Sequence, residues 1–334
     1  MTRRDAILEG TQAAQRLHAT IGTREAIEHG GLSRIDVFKV ATQLGAMVLC
    51  RPLNGLLGAY LGKPDFPVSG IIVSTQRDLH VQRFTAAHEI GHMCLGHSMP
   101  SLDEQVGLWR GEVKDLKEVA ADAFASEFML PRWLFIHHAG RHRWEDRALV
   151  QPDNVYQLSL RMGASYKATC WGLVGHQILS QATVEKRLWG VEPKELKLAA
   201  LAGRAELSNP WADVWIIDEQ DDGLTFEGGP DDLVIFRCRE RASAGYLWDE
   251  TGLQQRGFDV IDDLREEPNG EESGGAVTRV FITRVRAAGE YRVSVSERRP
   301  WRPDDSIARL SVNFDLQGKE QGLPRSARKT GAAA

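Results

Sequence analysis

The sequence predicts an α+β chain of several domains: a mainly helical unit with a small sheet, a helical annex and a C-terminal β-sandwich. Three observations carry this. Apolar residues recur at helical spacing within residues 1–50, 81–97, 115–130 and 153–204. From about residue 210, short β-branched or alternating runs take over, punctuated by Gly, Asp, Pro and Asn. At 334 residues the chain has room for two or three domains of roughly 100–200 residues each.

Taken in order, Ala6–Leu17 and Arg34–Leu49 read as helices, with Ser33 as the expected N-cap of the second. Met47–Cys50, Leu56–Tyr60 and Gly70–Thr75 read as short strands separated by Gly, Pro and Asn turns. Two strong helices follow over 81–97 and 115–130. In residues 154–176, Gly163 marks a tight turn and Ser165 caps the next helix. That helix offers only Lys167 and His176 as polar reach, which favours a structural or substrate-docking role over DNA reading. Trp215–Ile217, Leu233–Cys238, Arg279–Val285, Tyr291–Ser296 and Ala308–Phe314 are the expected strands of the sandwich. The boundaries expected are 1–150, 151–205 and 206–318, with a disordered polar tail over 319–334.

The charge balance sets limits. Lys and Arg number 41 against 46 Asp and Glu, a net charge of −5, which argues against a protein built mainly to grip phosphate backbones. Cys50, Cys94, Cys170 and Cys238 are scattered with no C-x-x-C pair, against a zinc ribbon or a disulfide framework. No apolar run approaches the ~18–20 residues of a membrane span. The first residues do not read as a signal peptide. A cytoplasmic setting without membrane contact is the expectation.

The sharpest motif is His88-Glu89-Ile90-Gly91-His92. On a helix, positions i and i+4 share a face, so both imidazoles can reach one metal ion. Two imidazole nitrogens at this spacing suit Zn²⁺, and Glu89 then stands beside the activated water as general base. The flanks, Phe84–Ala87 and Met93–Leu95, are largely apolar, and burying two His and a Glu among them needs a reason. A third ligand is required. A metzincin arrangement fails, because Leu95 and Ser98 stand where Gly and His are needed. Glu118 and Asp122 are again an i, i+4 pair on the next helix. Glu118 completes a His₂Glu set, and Asp122 can accept from the far nitrogen of a ligand His. One catalytic ion is expected, Zn²⁺, with Mn²⁺ able to replace it in such a donor set. For oxyanion stabilisation the candidates are His97, His137, His138, Tyr60 and Tyr156, and the sequence does not choose among them.

Arg83–His92 followed by Glu118–Pro131 resembles the ImmA/IrrE family of metallopeptidases over residues 30–131. The resemblance implies a zincin-like fold, His88, His92 and Glu118 as ligands and Glu89 as base. It also implies a protein substrate, a helix-turn-helix DNA-binding repressor whose cleavage derepresses stress-response or mobile-element genes. Strong direct nucleic-acid binding is not expected. Such peptidases commonly take the substrate as an added strand on a sheet edge, and Gly70–Thr75 is the edge expected.

In the C-terminal part, Arg241–Trp248, Glu272–Gly275 and Arg299–Trp301 resemble, in order and spacing, the three loops of the chagasin-like inhibitor family. That implies an immunoglobulin-like sandwich presenting the loops as a wedge at one end. Gly245, Tyr246, Gly274, Gly275, Arg299 and Trp301 are the expected partner-binding residues. Only Gly245 and Tyr246 of the first loop match the family pattern, and Glu272 replaces the first Gly of the second. A recognition or regulatory module is therefore expected. Two alternatives stand beside the peptidase: a non-catalytic metal-binding interaction protein, and a cysteine-peptidase inhibitor acting through the C-terminal domain.

Overall fold

The computed structural model describes residues 2–62, 68–97, 115–266 and 277–331. Helix α1 (Arg3–Ile21) starts from a capping box, in which the Thr2 hydroxyl accepts from Asp5 N–H and the Asp5 carboxylate from Thr2 N–H. Helices α2 (Thr23–Gly30) and α3 (Val37–Gln43) follow. The cap of α3 is Asp36, not Ser33: Asp36 accepts from Lys39 N–H, while the Ser33 hydroxyl donates to the Thr225 carbonyl. Both are good cap residues, so the choice depended on a long-range partner that local spacing does not reveal.

Strands β1 (Met47–Arg51), β2 (Gly58–Leu61) and β3 (Gly70–Ser74) form one sheet in the order β1-β3-β2. β1 runs parallel to β3, and β2 antiparallel. Gly70–Ser74 is therefore the central strand, and the expectation that it is the edge is corrected. Val48, Cys50, Ile71 and Val73 bury one face of this sheet. They share a core with Ala86, Ala87 and Ile90 of α4 (Leu79–Cys94) and with Phe124 and Phe128 of α5 (Leu116–Met129). Helix α4 has little amphipathic character because it is buried on most sides, the pattern of a helix inside a unit rather than on its surface.

Helices α6 (Arg132–Arg141), α7 (Asp146–Leu149), α8 (Pro152–Met162), α9 (Tyr166–Gly175), α10 (Gln181–Arg187) and α11 (Pro193–Leu201) continue the chain. Gly163 takes the left-handed conformation that ends α8, and the Ser165 hydroxyl accepts from Ala168 N–H at the start of α9.

Two four-stranded sheets follow. One has the order β5 (Thr225–Glu227), β11 (Arg302–Asp315), β10 (Glu290–Arg299), β7 (Leu247–Asp249). The other has β4 (Val214–Ile217), β6 (Leu233–Glu240), β9 (Val277–Val285), β8 (Phe258–Glu266). Trp215, Phe236, Phe258 and Phe281 from the second sheet meet Phe226, Val293, Leu310 and Phe314 from the first in one core, so the sheets pack face to face.

The β part is seated on the helical part by buried polar contacts. Arg161 of α8 forks onto Asp221 at 3.1 and 2.6 Å, and the Tyr156 hydroxyl donates to Asp213. Arg34 and Arg83 both reach Glu227 of β5. The expected disordered tail is also corrected over residues 319–331. Gly322 bridges Cys50 of β1 through two backbone bonds of 2.8 Å, and Glu320 N–H donates to the Gln82 side chain on α4. Arg325 is buried against Glu320 and Asp315, and α12 (Arg325–Gly331) packs beyond it. These polar residues looked solvated because their partners are far away in sequence. No helix among the described residues is long and apolar enough to cross a membrane.

Candidate metal centre

His88 and His92 project from one face of α4, and Glu118 comes from the first turn of α5, which packs alongside. The structure brings these three together. His88 Nε2 lies 3.0 Å from His92 Nε2, Glu118 Oε2 lies 3.2 Å from His88 Nε2, and Glu118 Oε1 lies 3.2 Å from His92 Nε2. Ligand atoms around one tetrahedral Zn²⁺ are about 3.4 Å apart, given metal–ligand bonds near 2.1 Å. The donor spacing and the two-nitrogen, one-carboxylate set therefore fit such an ion.

The electrostatics also favour a cation. Burial alone would push the His88 imidazole down, but Asp122 and Glu118, aided by the Glu89 charge, outweigh it and hold its pKa up at about 10. Hydrogen bonds from His88 and His92 hold Glu118 well below the usual carboxylate range.

Glu89 sits on the same helix and is 8% exposed. Burial pushes its carboxyl up, while the two imidazoles and the Tyr60 backbone N–H draw it back. That N–H belongs to β2, which approaches α4 closely only because residue 58 is glycine. A Cβ there would stand 2.4 Å from Thr85 Cγ2 and 3.3 Å from Glu89 Oε1. Asp122 Oδ1 lies 3.0 Å from His88 Nδ1, so the carboxylate can accept from that nitrogen and fix the tautomer whose Nε2 is free for a metal.

The oxyanion candidates separate. His138 is fully buried and donates from Nε2 to the Ser33 carbonyl, and the Tyr156 hydroxyl is engaged with Asp213. His137 lies on α6, in the electrostatic reach of Glu28 and Arg141. Only His97 and Tyr60 stand beside the cluster: His97 against His92, and Tyr60 through its backbone on Glu89. Burial, with the His92 charge, lowers the His97 pKa to about 4. Sequence reasoning missed the roles of Gly58 and the Tyr60 N–H, since nothing local marks β2 as the strand beside Glu89.

A second grouping, His142, Asp218 and Asp221, also lies within ligand distance. Its charge is already answered by the Arg161 fork on Asp221, which leaves a structural ion network.

Of the expected C-terminal loop residues, Gly245, Tyr246, Arg299 and Trp301 converge. The Arg299 guanidinium lies 4.5 Å from the Tyr246 ring centre, and Asp305 accepts from both side chains. Trp301 is 67% exposed and lies over Gly245, where a Cβ would be 2.7 Å from its ring. Trp248 is buried in the sandwich core instead. Gly274 and Gly275 lie outside the described residues. Asp305, which ties Tyr246 to Arg299, carried no signal in the sequence.

A helix-borne pair of imidazoles and a carboxylate from a neighbouring helix, with a buried glutamate beside them, form a donor set that could hold a metal ion. Residues 41–173 match the family model of the IrrE N-terminal-like domain, peptidase family M78, which supports a metallopeptidase-type enzyme. Residues 230–315 match that of the chagasin family peptidase inhibitors, I42. No curated protein sequence matches the chain. Among solved structures, a cysteine protease inhibitor of Entamoeba histolytica is 20% identical over 32% of this chain and 99% of its own, with a TM-score of 0.29. A Mycobacterium tuberculosis transcriptional regulator is 13% identical over 85% of this chain and 81% of its own, with a TM-score of 0.33.

Proposed function

We propose that the chain is a zinc-dependent, zincin-like endopeptidase that cleaves a protein, in the first instance a helix-turn-helix repressor, with its immunoglobulin-like β part as a recognition or regulatory module. The observation that carries this is the convergence of His88 Nε2, His92 Nε2 and the Glu118 carboxylate within 3.2 Å, with Glu89 buried beside them.

Zinc held by His88, His92 and Glu118 would supply Lewis-acid activation of water and of the scissile carbonyl. The chain's residues do the rest. Glu89, its carboxyl raised by burial, would take the proton of the attacking water and return it to the leaving amine. Asp122 holds His88 in one orientation through Nδ1. β2 takes the role first expected of Gly70–Thr75. It pairs with β3 on one side, it is the strand that reaches Glu89, and the tail bridges the opposite edge at β1. An extended substrate segment would add along β2.

At the far end of the β part, exposed Trp301 over Gly245, beside the Arg299–Tyr246 stack, has the form of an aromatic anchor for a protein partner. Of the seating contacts, that of Arg34 and Arg83 on Glu227 lies toward the opposite end of β10, since Glu227 stands beside Asp315 and Asp315 beside Glu290.

The test is Glu89→Gln in the full chain, with helix-turn-helix repressors of the same genome as substrates. Zinc content and fold should remain, and cleavage should fall about 10²–10⁴-fold. A Glu89→Gln protein that still cleaves such a repressor, or still derepresses a reporter in cells, overturns the enzyme reading.

A further inference from the structure

His97 is the residue near the cluster that the reaction above leaves without a task. Its position is built by the end of α4. The helix closes at Leu95, Gly96 takes a left-handed conformation with φ +66°, and His97 N–H donates back to the His92 carbonyl at 3.0 Å. This turn folds the His97 ring onto the His92 ring, with centroids 5.1 Å apart and planes at 63°. The two Nδ1 atoms come to 2.9 Å of each other. One must therefore donate and the other accept.

The surroundings decide which. His92 Nε2 faces His88 Nε2 and Glu118, the direction in which a cation would lie, so its lone pair must be kept there. The proton of a neutral His92 is then on Nδ1. We propose that His97 is a positioning residue for His92: its bare Nδ1 accepts from His92 Nδ1–H, fixing both the tautomer and the ring plane of that ligand. Asp122 does the same for His88 at 3.0 Å, so each imidazole has its far nitrogen held by a partner, one anionic and one neutral. A neutral acceptor on one side spares the site a further negative charge next to Glu118 and Glu89. This assignment rests on the metal-centre reading, and it moves His97 from the oxyanion candidates to the support of a ligand.

The experiment compares His97→Gln, which keeps an acceptor oxygen, with His97→Phe, which keeps a ring but has no acceptor. His97→Leu repeats the second case with a smaller side chain. Zinc affinity of the full-length protein is measured by chelator competition, with the visible spectrum of the Co²⁺-substituted protein as a second readout. His97→Phe and His97→Leu should lose about 10–100-fold in affinity and shift the Co²⁺ bands, and His97→Gln should stay close to wild type. Melting temperatures of the metal-free proteins separate this from a structural role, which would lower all three alike. Wild-type affinity in His97→Phe and His97→Leu, or equal losses in all three variants, overturns the assignment. His92→Ala distinguishes the two levels. If it abolishes zinc binding while His97→Phe binds as wild type, only the role of His97 falls. If wild type takes up no equivalent of zinc, the metal-centre reading fails and the assignment falls with it.

Discussion

Gly10→Ala is the substitution on which local propensity and tertiary packing disagree most sharply. Gly10 lies inside α1, a 19-residue helix, where replacing Gly by Ala should gain about 1 kcal/mol. A Cβ at residue 10, however, would stand 2.0 Å from the Ala120 carbonyl oxygen and 3.0 Å from Phe124 N on α5. Ordinary contact begins near 3.4 Å, so α1 and α5 must part by about 1.4 Å. Both obstacles are backbone atoms, and no side chain can swing away. Such overpacking costs about 1–3 kcal/mol or more, and prying apart two packed helices belongs at the upper end. The net expectation is a loss of about 2 kcal/mol despite better propensity. Ala120 stands between Glu118 and Asp122, so the same displacement should also weaken zinc binding. Gly140→Ala is the control, because that helical glycine has nothing within 4 Å of the Cβ position and should be neutral or stabilising. Urea unfolding and zinc competition on the two variants read both effects. A Gly10→Ala protein as stable as Gly140→Ala would refute the packing argument.

Two further expectations concern stability. Asp221→Asn leaves Arg161, whose side chain is 2% exposed, without its buried counter-charge and should cost about 3–5 kcal/mol, read as a lower urea midpoint; a midpoint equal to wild type would contradict the reading of this pair as part of the seat of the β part. Burial holds His18 neutral down to about pH 4 and His138 to about pH 3, so each contributes stability that is complete above the unfolded-state value of 6.5. That stability drains as pH falls toward 4 and 3, because the unfolded chain binds the protons, at a limit of about 1.4 kcal/mol per pH unit for each group. Urea midpoints at pH 7.5 and 5 should fall accordingly, and an unchanged midpoint in that window counts against both burial assignments.

Much of the candidate site could be read in advance because its pieces are local. His88 with His92, and Glu118 with Asp122, are i, i+4 pairs, and helical geometry places each on one face whatever the rest of the chain does. The apolar runs around them announced buried helices, and Gly163 with Ser165 announced a turn that formed as read. Local spacing misled where two neighbours were equally suitable, as with Ser33 and Asp36, and where a polar stretch had distant partners, as with residues 319–331. His97 stood in plain view after Gly96, yet its contact with His92 depends on the left-handed turn between them.

What the sequence determined by itself was therefore the spacing of His88, His92, Glu118 and Asp122 along two helices, the β character of residues beyond 210 and the nearness in sequence of the loop residues around Tyr246 and Trp301. What only the tertiary structure decided was how these meet. Strand order β1-β3-β2 made β2 an outer strand among the described residues, close packing put Glu118 against the two imidazoles, and the returning tail bridged β1. The physical reason is that side-chain periodicity follows from backbone geometry within a turn or two. Strand pairing and helix seating follow instead from the burial and hydrogen-bond needs of residues tens to hundreds of positions apart.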